Sequence, residues 1–106
     1  MKILVLQKVR VISVSSQQEE KTMQCDHQKA FQLIDSGDWH GAHRLVQVHS
    51  DKLSCLIHGY LHWDEGDLGN SAYWYHRAGE QMPQVTLRQE LARLKQLAQQ
   101  KNDRDM

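Results

Sequence analysis

A chain of 106 residues in which 40% are hydrophobic and 25% charged has the ordinary make-up of one soluble domain, and is too short to divide into two. Lys+Arg and Asp+Glu balance at 13 each, so the basic excess that accompanies a nucleic-acid partner is absent and no such partner is expected. The longest apolar run, Ile3 to Leu6, is far short of the ~20 residues of a bilayer helix or the 7 or more of a signal-peptide core, so no membrane contact and a cytoplasmic location are expected.

Residues 1–21 are rich in Val and Ile up to Val14, then polar, and carry no helix cap. Strand propensity with no second strand to pair with predicts a loosely ordered amino-terminal arm. From residue 22 the punctuation becomes helical. Met23, Ala30, Phe31, Leu33 and Ile34 recur at three- and four-residue spacing, and Gly37-Asp38 supplies a stop followed by a cap. A second helix is expected from about Trp39 to Val48, with Trp39, Ala42, Leu45 and Val46 on its apolar side. Asp51 then caps a third over Lys52 to Glu65.

Gly66-Asp67 repeats the stop and cap, opening a fourth helix over about Leu68 to Ala78 that Gly79 and Pro83 close. In the last segment Thr86 and Gln89 form a capping box ahead of a Leu87, Leu91, Leu94, Leu97 stripe. The domain is thus expected to span 22–101, with a frayed tail over 102–106. Cys25 and Cys55 lack the spacing of a disulfide framework or a zinc ribbon and are expected to be reduced.

The two Gly-Asp steps are 29 residues apart, and each lies between two helices, which makes an internal repeat of helical hairpins. The second unit resembles a tetratricopeptide repeat. Gly59, Gly66, Ser71, Tyr75, Ala78 and Pro83 stand where that family has its small, turn, aromatic and proline residues, with His62 where an aromatic is usual. In the first unit Ala30, Leu33, Gly37, Ala42, Val46 and His49 match more weakly. The resemblance implies an all-α fold of about five helices in antiparallel, stacked hairpins.

A second resemblance rests on Trp39-His40-x-Ala42-His43, on His58-x-Tyr60-Leu61-His62-x-x-Glu65-Gly66-Asp67 and on Asn70-x-x-Tyr73-Trp74-Tyr75-x-Arg77-Ala78-Gly79. It is to a family of small uncharacterised bacterial and fungal proteins and carries no implied activity.

Seven histidines are the compositional oddity. His58 and His62, four apart on one helix, share a face about 6 Å apart and can chelate a divalent metal such as zinc. His40 and His43 on the preceding helix can add ligands, and Glu65 a carboxylate or general base. The other account is structural: imidazoles hydrogen-bonded to Glu65, Asp67, Asn70 or tyrosine hydroxyls, fixing helix register. No Ser or Cys has a base at motif spacing, and Asp64 to Ser71 has neither phosphate-loop nor calcium-loop order.

Three consecutive aromatics, Tyr73, Trp74 and Tyr75, fan out by about 100° per residue, so Tyr75 is expected in the core and Trp74 or Tyr73 against a neighbour or ligand. Arg77 can stack on an aromatic or pair with Glu80.

Under the tetratricopeptide resemblance the first helix of each hairpin lines a groove, placing Phe31, Leu56, Tyr60 and Trp63 there. The leading expectation is therefore a non-enzymatic adaptor without a cofactor, binding a peptide or partner helix through Phe31, Leu56, Tyr60, Trp63, Trp74 and Arg77. The arm, or a second copy of the chain in a homodimer, are the other candidates to cover that face. The alternative is a metal-dependent site of His40, His43, His58, His62 and Glu65.

Overall fold

A computed structural model describes residues 24–105. The expectation for residues 1–21 lies outside the described residues. Those described form an all-helical unit of five helices: α1 (His27–Asp35), α2 (Trp39–Val46), α3 (Lys52–Asp64), α4 (Leu68–Arg77) and α5 (Leu87–Asp105). None is long and apolar enough to cross a membrane.

Local chemistry sets these boundaries. Asp26, Asp38, Asp51 and Asp67 each accept a hydrogen bond from the backbone N–H three residues on, satisfying a donor that a helix start leaves unpaired. Three helices end in one way: the glycine takes a left-handed φ, 85° at Gly37, 92° at Gly66 and 84° at Gly79. The next N–H then reaches back to a carbonyl five residues earlier, Asp38 to Leu33, Asp67 to His62 and Glu80 to Tyr75. The expected Thr86–Gln89 capping box forms in both directions, at 2.9 and 3.1 Å. The first helix begins at His27 because Asp26 caps it, and α5 keeps helical backbone to Asp105, past the expected end at residue 101.

Helix α3 is the centre of the molecule. It packs on α2, α4 and α5, and every residue from Leu53 to His62 is buried, the pattern of a helix enclosed on all sides. Its largest interface is with α4 and runs antiparallel: Lys52 near the start of α3 meets Glu80 beyond the end of α4, while Gly59 meets Ser71.

Gly59 makes the close approach possible. A Cβ there would lie 2.7 Å from the Tyr75 ring and 3.2 Å from the Ser71 carbonyl oxygen, and the Ser71 hydroxyl donates to the Gly59 carbonyl at 2.7 Å. Ala30, Ala42, Val46, Leu56, Ile57, Leu61, Tyr75 and Leu94 complete a continuous core.

Burial of α3 alters the expected groove. Phe31, Leu56 and Tyr60 are 3%, 1% and 6% exposed, so they are core side chains and offer no surface among the described residues, because α5 packs across the face they were expected to leave open. Trp63 and Trp74 are half-buried and Arg77 is exposed.

Candidate functional site

The α2–α3 interface gathers imidazoles. His43 and Trp39 are four residues apart on α2 and share a face, so their rings stack, with centroids 4.9 Å apart and planes 9° from parallel. Trp39 is fixed in turn by its indole N–H, which donates to the Leu61 carbonyl of α3 at 2.7 Å. The register brings His43 Nε2 within 3.1 Å of His58 Nε2, one nitrogen donating to the other.

His58 and His62, one turn apart on α3, stack at 5.0 Å, and Trp74 of α4 stacks on His58, with centroids 3.8 Å apart. One ligand nitrogen from each of His43, His58 and His62 falls within 4.8 Å of the others.

Each ring has its own support. His62 Nδ1–H donates to the Glu65 carboxylate at 2.7 Å, which fixes the tautomer and leaves Nε2 with a lone pair. His43 and His58 are held by tryptophan faces. His58 is 4% exposed, and its Nδ1 is the one buried side-chain polar atom without a hydrogen-bond partner among the described residues.

Burial depresses the His58 pKa to about 4, helped by the neighbouring His43 and His62 and by the Arg77 charge. His43 is also lowered, by burial first and then by His62, against a partial opposing pull from Glu65. At neutral pH these two rings are uncharged, the form in which imidazole binds metal.

The structure thus assembles four of the five expected metal-site residues: His43, His58 and His62 as a trio, with Glu65 behind His62. His40 is exposed; its ring packs T-shaped against Trp39, and it is not part of the trio. His62, Glu65 and Asp67 also lie close enough to share an ion, but Asp67 already caps α4 and binds the Asn70 side chain. The expected Arg77 contact falls on Trp74, 4.9 Å from the ring centroid, with Tyr73 at 6.0 Å, and Glu80 instead pairs with Arg93 and Lys52. Tyr75 is in the core as expected.

Two polar clusters were not anticipated from the residues. In one, His27 Nε2 lies 3.0 Å from both Asp51 Oδ2 and Ser54 Oγ, and the Ser54 hydroxyl donates to Asp51 Oδ1. Burial alone would raise the Asp51 carboxyl, but the Ser54 and His27 hydrogen bonds outweigh it and hold it below its usual range. The residue types are those of a hydrolase triad, but the geometry is not: one nitrogen serves both partners, and Ser54 is fully buried.

In the other cluster the Tyr75 hydroxyl donates to Glu90 at 2.6 Å, and Arg93 binds both Glu90 oxygens and Glu80 at 2.9 Å. Burial, then the Glu90 hydrogen bond, push the Tyr75 phenol up, so it stays protonated. The position of Glu90 carried a signal: it lies three after Leu87 and four before Leu94, on the buried stripe of α5.

No protein-family model, curated protein or solved structure matches this chain.

Proposed function

We propose that this protein is a small metal-binding helical domain, in which His43, His58 and His62 take a divalent ion such as zinc and Glu65 supports it from behind His62. The observation that carries the reading is the convergence of three imidazoles, one ligand nitrogen from each of His43, His58 and His62 lying within 4.8 Å of the others. Tetrahedral zinc with nitrogens at about 2.0–2.1 Å sets ligand atoms roughly 3.3 Å apart. The 3.1 Å between His43 and His58 is close to that spacing, and rotation of His62 would close the rest. A carboxylate behind a ligating histidine raises its basicity and orients its ring.

Antiparallel α3 and α4, the Gly59, Ser71 and Tyr75 junction and the repeated Gly-Asp turns favour tetratricopeptide-like hairpins, and the histidine and tryptophan motifs favour kinship with the small bacterial and fungal proteins that they resemble. An adaptor role finds less support, because Phe31, Leu56 and Tyr60 are core and only Trp63, Trp74 and Arg77 of the expected anchors reach the surface.

Titration of the metal-free protein with zinc, followed by calorimetry and thermal unfolding, tests the metal reading. One ion per chain is expected, with stabilisation of about 2.7 kcal/mol when free zinc is a hundredfold above Kd. His58→Phe keeps a ring against Trp74 but has no nitrogen; if that variant binds zinc as tightly as the natural chain, the trio is not the site.

A further inference from the structure

We infer that the fourth coordination position of the His43, His58 and His62 centre takes a small exogenous anion, which makes the centre an anion-accepting metal site rather than a closed structural one. This rests on the metal-binding reading above.

The first argument is ligand count. A tetrahedral ion needs four donors, and structural zinc sites draw all four from the chain. Among the described residues three imidazoles converge and no fourth side chain joins that trio. Glu65 is the nearest carboxylate, yet its Oε2 is engaged by His62 Nδ1–H at 2.7 Å, which places it behind the ligand.

Charge is the second argument. Three imidazoles bind as neutral ligands, so they leave both positive charges of the ion uncompensated, and an uncompensated charge in a partly buried site is expensive. Arg77 adds to the imbalance: its guanidinium lies over Trp74, the ring stacked on His58. Glu65 offsets one charge at most, so an anion completes the balance.

Access is the third. His58 and His62 are buried, but His43 is half-buried and the Glu65 side chain is 40% exposed, so the centre lies near the surface at the α2–α3 edge.

Cobalt(II) reports its own coordination through visible absorption and takes tetrahedral nitrogen sites as zinc does. The full chain is loaded with cobalt(II), and thiocyanate, then azide, is added. Intense tetrahedral bands that shift saturably with each anion are expected, unchanged in His40→Ala.

Tetrahedral bands indifferent to both anions would overturn the inference while leaving the metal site standing. The chain would then supply the fourth ligand, and Glu65→Gln would change the spectrum before any anion is added. Absence of cobalt binding, with zinc also unbound by calorimetry, would instead remove the metal reading itself.

Discussion

Two polar clusters, the imidazole trio and the Tyr75–Glu90–Arg93 network, solve the problem of burial differently. Where α5 meets α4, Glu90 is fully buried and both its oxygens are engaged, by Tyr75 and by Arg93, which continues to Glu80 and Lys52. Where α2 meets α3, three imidazoles press together and His58 Nδ1 has no partner. A completed network locks helices in one register. The imidazole side instead gathers three donor nitrogens on which an ion can draw, and for that reason it is the candidate for function.

The sharpest way to break this contrast is Glu90→Ala, which strands the buried Tyr75 hydroxyl and leaves Arg93 with Glu80 alone. A loss of about 1–3 kcal/mol by urea unfolding is expected, the cost of leaving a buried donor without its partner. A loss under ~1 kcal/mol would mean that the junction is not a structural lock.

The second test is pH. His58 titrates near 4 in the fold and near 6.5 when unfolded, so between those values the unfolded chain binds the extra proton and the native chain does not. Stability of the metal-free protein should therefore fall as pH drops from 6.5 towards 4 and be insensitive to this group above 6.5. His58→Phe should flatten that slope; an equal slope in both proteins would show that His58 is not held neutral.

His40→Ala should do least. Its ring is exposed and outside the trio, so zinc affinity should stay within about twofold and stability within ~0.5 kcal/mol. A tenfold weaker site would return His40 to the ligand set.

How far the sequence carries can be judged on particular residues. Caps and stops are local chemistry, so Asp38, Asp51, Asp67, the glycine turns and the Thr86–Gln89 box were legible, and α2, α3 and α4 followed from them to within a residue or two, as did the start of α5. The His58–His62 pair was legible for the same reason, since four-residue spacing on one helix fixes a shared face.

What escaped was decided between helices. That His43 rather than His40 meets His58 depends on how α2 rotates against α3, although Trp39 gave a hint: it is apolar and four residues before His43, whereas His40 is turned away by about 100°. The groove failed for a related reason. Apolar residues at helical spacing show that a face is buried, but not against what, and here α5 covers it.

The tryptophans carry a further consequence. Trp39 stacks on His43 and Trp74 on His58, whereas no tryptophan touches the Tyr75–Glu90 junction in any ring contact among the described residues. Two of the molecule's three indoles therefore view the imidazole cluster directly. Their emission should change when the cluster is filled, so the protein contains a light-emitting gauge of its own site.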